Sequence, residues 1–173
     1  MNIRAFQRSL AIKAERQRDH RFERLYRYIS REDWLEQALE RVLSNQGART
    51  AGIDGMTKGD LRTPGSRREL VRRLHTDLRS RRYYPNPVKR VYIPKPGKNE
   101  ERPLGIPTIA DRTVQQALRM AMEPIWESRF LHISHGFRPG HRTMDNIAMC
   151  YRYITPRNKL YCCLLYTSPS PRD

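Results

Sequence analysis

Cysteine is scarce in this 173-residue chain, limited to Cys150, Cys162 and Cys163. An odd number, two of them adjacent, sets up no disulfide framework and fits a reducing, cytoplasmic location. Long apolar runs are lacking too, so no stretch reads as a membrane span, and the basic helices are too polar opposite their charge to suggest a membrane partner. The opening MNIRAFQRSLAIKAERQRDH has no apolar core followed by small residues, which excludes a secretory signal. Glu15 and Asp19 argue against a transit peptide. No internal repeat is present. Negative charge is in short supply, with 18 Asp and Glu against 34 Lys and Arg, a formal net charge of +16. Such an excess repels itself in isolation and points to a polyanionic partner, nucleic acid first of all. His132, His135 and His141 match no standard zinc spacing, and no metal site is assigned.

What is present reads as helices broken by glycine-rich and proline-rich loops. Residues 4–28 read as one basic helix marked by Phe6, Leu10, Phe22, Leu25 and Tyr26. Ser30 and Asp33 resemble a capping box ahead of Trp34, Leu35, Ala38, Leu39, Val42 and Leu43 at helical spacing, with Asn45 and Gly47 as the stop. GARTAGIDGMTKGD is loop; it has neither the spacing nor the Lys-Ser/Thr ending of a P-loop. Ser66 and Glu69 predict a second capping box and a helix burying Leu70, Val71, Leu74 and Leu78, stopped by Pro85 and Pro87. Its opposite face carries Arg67, Arg68, Arg72, Arg73 and Arg79, continuing into Arg81 and Arg82. Thirteen basic and four acidic residues lie between Arg62 and Arg102, and Tyr83 and Tyr84 add stacking surfaces for bases. Asp111 is placed to cap a later helix whose small-residue face is Val114, Ala117, Leu118 and Ala121, with Pro124 kinking or ending it. Thr143 opens a helix predicted to turn Met144, Ile147, Ala148 and Tyr151 inward. LYCCLLY has strand character, and TSPSPRD has the composition of a disordered tail.

Between these helices, Val88–Ile93 predicts a strand, Pro96-Gly97 a turn and Arg102–Ile106 a return strand. Lys95 and Arg102 flank the turn, so both cations can come to one edge of the hairpin. Arginine can clamp phosphate oxygens in a bidentate fork, and lysine can act as a mobile point charge. Two ordinary surface cations would look the same.

The order of segments narrows the reading. GIDGMT, then YYPNPVKRVYIPKPGKNEERPLGIPTIADRTVQQAL, then EPIWESRF, then HGFRPGHRTMDNI resembles the N-terminal part of group II intron reverse transcriptase/maturases, over roughly residues 20–153. The resemblance implies an RNA-directed DNA polymerase that also binds its intron RNA and assists splicing and mobility. The implied fold class is α+β, mostly helical with a β-hairpin: the fingers and start of the palm of a right-hand polymerase, an incomplete domain. The expected divisions are an N-terminal arm with the glycine-rich loop (1–60), fingers and the approach to the palm (61–155), and an atypical tail (156–173). By the same resemblance Lys95 and Arg102 hold the triphosphate of an incoming deoxynucleotide, and Gly105 lets a nucleic-acid backbone come close. Arg72, Arg73, Arg81, Arg82, Lys89, Arg90, Arg112 and Arg138 are the candidate contacts to intron RNA or template-primer.

The chain departs from the family where polymerase chemistry would need carboxylates for two Mg2+ ions. A segment resembling DIxxFF should follow the GFRPG helix, with YADD later, yet Thr155 to Arg172 contains no Asp or Glu. No catalytic residue is therefore assigned, and the expectation is a family sequence interrupted near residue 160 and inactive as a polymerase by itself. The alternatives are an RNA-binding module without catalysis and a non-functional remnant. Retron and CRISPR-associated reverse transcriptases share the polymerase plan, but RPLGIPTIADR with GFRPG favours the group II lineage.

Overall fold

The structure is a computed structural model that describes residues 2–97, 99–136 and 138–154. Its elements are α1 (Ile3–Arg16), the single turn α2 (Tyr26–Ile29), α3 (Glu32–Ser44), a 3-10 turn (Gln46–Arg49), α4 (Pro64–Arg79), β1 (Lys89–Pro94), β2 (Glu101–Ile106), α5 (Ile109–Glu127) and α6 (Thr143–Ile154). Helices together with a two-stranded antiparallel sheet make an α+β chain. The chain divides into a unit of residues 1–129 and a second of 130–173. Among the described residues no helix is long and apolar enough to cross a membrane.

The first unit is organised by α3 and α5. Trp34, Leu35 and Ala38 of α3 and Ala117, Met120 and Ala121 of α5 are all fully buried, the alanines letting the two helix backbones approach. Trp34 donates its indole N–H to the Ala117 carbonyl at 2.9 Å, which satisfies the one polar atom of the largest buried side chain. Leu70, Val71, Leu74 and Leu78 of α4 close the same core, as the stripe predicts. Ile3 of α1 and Trp34 share it with Leu70 and Ile109, so residues on both sides of position 60 belong to one core.

Several local expectations are corrected. The basic segment 4–28 is not one helix: α1 ends at Arg16, and Arg24 adopts a left-handed φ of 60°. The reversal lets Phe22 and Leu25 pack back on Leu10, Ala14 and Ile125, apolar burial that a straight helix would forgo. Neither predicted capping box forms. Arg31, without a side-chain cap bond, precedes α3, and Asp33 pairs with Arg31 instead. Thr63 caps α4, accepting from the Ser66 N–H at 3.2 Å with Pro64 at the first helical position. α4 stops before the prolines, at Ser80, and Arg81 turns the chain with a φ of 56°. Thr108 caps α5, and Asp111 sits in its first turn. Leu118 lies outside the small-residue face and is exposed at the rim of an apolar groove with Tyr26, Leu78 and Val114.

Pro124 does not end α5, which continues to Glu127. Its ring has no N–H for the Met120 carbonyl four residues back. Gln7 of α1 supplies the missing donor through its side-chain amide at 2.7 Å.

In the second unit, Met144, Ile147, Ala148 and Tyr151 of α6 are exposed rather than turned inward. The predicted LYCCLLY strand and the TSPSPRD tail lie outside the described residues.

Candidate nucleotide and nucleic-acid interface

The hairpin forms where the sequence places it. Pairing runs from Lys89 opposite Ile106 to Pro94 opposite Glu101, with Ile93 opposite Arg102. One further bond, Lys95 N–H to the Glu100 carbonyl at 2.9 Å, carries the ladder to the turn. Gly97 takes a φ of 73° there, a value that favours glycine. Alternation then fixes the faces. Val91, Ile93 and Lys95 share one face with Leu104, Arg102 and Glu100, so Lys95 and Arg102 are diagonal neighbours, a spacing of about 7–8 Å in antiparallel pairs. Arg90 and Tyr92 point to the other face with Gly105 and Pro103. No hairpin residue belongs to either core, so its two faces are held by the ladder and by the anchor at its base.

The two cations differ in what they hold. Lys95 Nζ bonds Glu100 Oε2 at 2.7 Å across the turn, a solvent-exposed pair. The Arg102 guanidinium makes no hydrogen bond or ion pair among the described residues and is exposed.

The base of the hairpin is fastened to α5 by a buried carboxylate. Asp111, 3% exposed, accepts from the Tyr83 hydroxyl and from Thr108 Oγ1 at 2.6 Å, and lies 3.3 Å from the Asn86 N–H. Burial pushes the Tyr83 phenol above its ordinary value, and the hydrogen bond to Asp111 and its charge push it further. Thr108 Oγ1 in turn accepts from the Asp111 N–H at 3.1 Å. This anchoring role was not visible in sequence; the signal was there only as Tyr83 and Asp111, which read as a stacking surface and a cap.

The glycine-rich loop is fastened to the same helix start. A Cβ at Gly52 would lie 2.8 Å from Thr108 Cα and 2.9 Å from Thr108 N, so only glycine permits this approach. Arg112 ties the loop down, donating to Pro107 O at 2.9 Å, Gly47 O at 2.7 Å and Thr50 O at 2.9 Å. Three of its five N–H groups thus face protein carbonyls. Arg138 likewise donates to Leu131 O at 3.0 Å and Ser134 O at 2.6 Å, with its guanidinium 5.2 Å from the Phe130 ring. Gly105 has an internal reason as well: a Cβ there would lie 3.0 Å from Val88 Cγ2.

Arg72 and Arg73 lie exposed on α4, and Arg81, Arg82, Lys89 and Arg90 are exposed along the path from α4 into β1. Arg82 and Tyr83 both donate backbone N–H groups to Asp77 O, at 2.8 and 3.1 Å, which turns the chain toward the hairpin. Among the described residues no three His, Cys, Asp or Glu side chains gather where they could hold a metal ion. Asp54 and Asp60 accept from their own local backbone, and the Asp111 carboxylate is taken up by Tyr83, Thr108 and the Asn86 N–H, so they do not fit a Mg2+ pair.

No family model matches the chain. Protein YkfC of Escherichia coli (strain K12) is 45% identical over 139 residues, covering 80% of this chain and 36% of that protein. The group II intron-encoded protein LtrA of Lactococcus lactis subsp. cremoris is 42% identical over 121 residues, 70% of this chain and 19% of LtrA. An uncharacterized 91 kDa protein in cob intron of Schizosaccharomyces pombe (strain 972 / ATCC 24843) is 32% identical over 113 residues, 65% of this chain and 13% of that protein. The chain therefore spans about a third or less of the length of the curated relatives it matches. With these identities and with the motifs in the family's order, the chain belongs to the group II intron-encoded proteins, the reverse transcriptase/maturase family.

Proposed function

We propose that this chain is the fingers and palm approach of a right-hand RNA-directed DNA polymerase that also grips intron RNA for splicing and mobility. The observation that carries the reading is the diagonal placement of Lys95 and Arg102 on one hairpin face. In this reading they hold the triphosphate of an incoming deoxynucleotide, Arg102 as a fork and Lys95 as a point charge that neutralises the leaving pyrophosphate. Arg72, Arg73, Arg81, Arg82, Lys89 and Arg90 contact RNA backbone. Arg112 and Arg138 act by shaping their loops around carbonyls.

The catalytic metal ions would need carboxylates that the described residues do not bring together. The 173-residue chain alone is expected not to extend a primer; Mg2+-dependent extension by it would sink this part of the reading. The direct test is binding of a fluorescent deoxynucleoside triphosphate to the chain. Lys95→Ala and Arg102→Ala should each weaken it about tenfold or more, since charge-assisted bonds to phosphate contribute roughly 1.5–3 kcal/mol. Affinity unchanged in both variants would overturn the triphosphate role.

The exposed arginines of α4 favour a second reading, an RNA-binding module without catalysis. A steep salt dependence of RNA binding, with a slope of about −0.7 per phosphate contact to single strands, together with no triphosphate affinity would select it. A flat response would leave a non-functional remnant.

A further inference from the structure

A second basic site stands apart from the hairpin, in the segment that joins the 3-10 turn to α4. Four cations occur between residues 49 and 67, namely Arg49, Lys58, Arg62 and Arg67. They line one concavity of about 370 Å³, together with Thr57 and Gly59. The fold brings them there by specific bonds. Lys58 N–H donates to Ala48 O at 2.8 Å, which folds the turn carrying Lys58 back onto the turn that ends in Arg49. Arg67 Nε donates to Leu61 O at 2.7 Å, which fixes that guanidinium at the start of α4.

The same segment has two carboxylates, and both are engaged locally. Asp54 Oδ1 accepts from the Met56 N–H at 3.2 Å. Asp60 Oδ2 accepts from the Thr57 N–H at 2.8 Å and from Thr57 Oγ1 at 2.9 Å, with the Arg62 charge acting on it at longer range. The side chains of Arg49, Lys58 and Arg62 make no hydrogen bond or ion pair among the described residues. Cations that converge on a concavity without a matching anion repel one another, and a bound anion relieves that repulsion.

We propose that this notch of Arg49, Lys58, Arg62 and Arg67 is a docking site for the phosphodiester backbone of RNA. It deepens the RNA-binding part of the proposed function and does not depend on the triphosphate role of the hairpin. The notch is built from guanidiniums and one ammonium with no aromatic side chain in its lining, so it reads backbone charge and not base identity. Arg67 is held by protein and supplies a fixed charge; the other three are the contacts.

The test is RNA binding by the 173-residue chain as a function of salt, using a labelled single-stranded oligoribonucleotide and a labelled RNA duplex. The variant Arg49→Gln/Lys58→Gln/Arg62→Gln removes three exposed charges and leaves Arg67 in place. Its log-log salt slope should be shallower by about 2 for the single strand, or by somewhat more for the duplex if that is the form bound, at about 0.7–0.9 per contact. Removing the same charge elsewhere, in Arg4→Gln/Arg8→Gln/Lys13→Gln on α1, should change the slope by less than half as much. Arg49→Lys/Arg62→Lys should keep the slope. Equal losses in the two triple variants would overturn the notch and leave only diffuse charge. An unchanged slope in the notch variant, with the wild-type chain binding RNA, overturns the notch alone. No RNA affinity in the wild-type chain overturns the RNA reading on which the notch rests.

Discussion

The Gln7 side-chain amide donates at 2.7 Å to the carbonyl of Met120, the one that Pro124 leaves without an intrahelical partner. A proline in the middle of α5 is thus tolerated because α1 lies against that turn. Gln7→Ala should destabilise the chain by about 1 kcal/mol, the usual net worth of such a bond, read as a lower urea midpoint at unchanged slope. In a Pro124→Ala background the backbone N–H returns to Met120 O, and the effect of Gln7→Ala should shrink to a few tenths of that. A double-mutant cycle with no coupling between the two positions would refute the relationship.

Asp111 is the buried pivot of the hairpin base. Asp111→Asn turns an acceptor of three donors into a group with its own donors, and should destabilise by about 2 kcal/mol. Tyr83→Phe removes one donor and should be milder.

Tyr83 also carries a pH signature. Its phenol is raised in the folded chain above the ordinary 10.0. The unfolded chain therefore releases this proton first, and the stabilisation is present below about pH 10 and lost as pH rises beyond it. Thermal unfolding above pH 10 should show a steeper decline for wild type than for Tyr83→Phe. Parallel curves would remove the shift.

Gly52→Ala should be among the most damaging single-methyl additions, because the clash at 2.8 Å is with Thr108 backbone and no side chain can yield. A loss of about 2 kcal/mol or more is expected. Arg112→Ala should release the same loop from the other side, seen as faster amide exchange across residues 47–52 with smaller change in α3. Protection unchanged in that loop would show that the two bonds to Gly47 O and Thr50 O do not hold it.

What the sequence made legible follows from how local each feature is. The stripes of α3 and α4 and the Pro96-Gly97 hairpin are each set by near neighbours, and all three form as their patterns indicate. The break after Arg16 was hidden because it exists to let Phe22 and Leu25 revisit a patch built partly by Ile125, more than a hundred residues away. The Ser66–Glu69 box failed because the upstream Thr63 takes the start of α4, the Ser30–Asp33 box because Asp33 pairs with Arg31, and Asp111 loses the cap of α5 to Thr108. In the site, the alternation that puts Lys95 beside Arg102 could be anticipated, whereas Arg112 and Arg138 reach carbonyls that only the folded loops bring within range.

Gly105 offers a sharp discrimination between packing and ligand approach. If its missing Cβ serves Val88, then Gly105→Ala should lose up to about 1 kcal/mol of stability and Val88→Ala should restore most of it. RNA affinity should be the same in all three proteins. A loss of RNA affinity in Gly105→Ala that Val88→Ala fails to rescue would instead support close approach of a nucleic-acid backbone.

Lys95 enters any encounter with a ligand already holding the Glu100 carboxylate at 2.7 Å. A ligand therefore competes for Lys95 with a tethered anion, and a group bearing little more charge than a carboxylate has little advantage over one held nearby. Under the proposed role, Glu100 acts as a toll on entry: weakly charged phosphates are turned away, and a triphosphate, which can also engage the unencumbered Arg102, is let through. Two residues flanking a turn would in that way grade ligands by charge before any base is read.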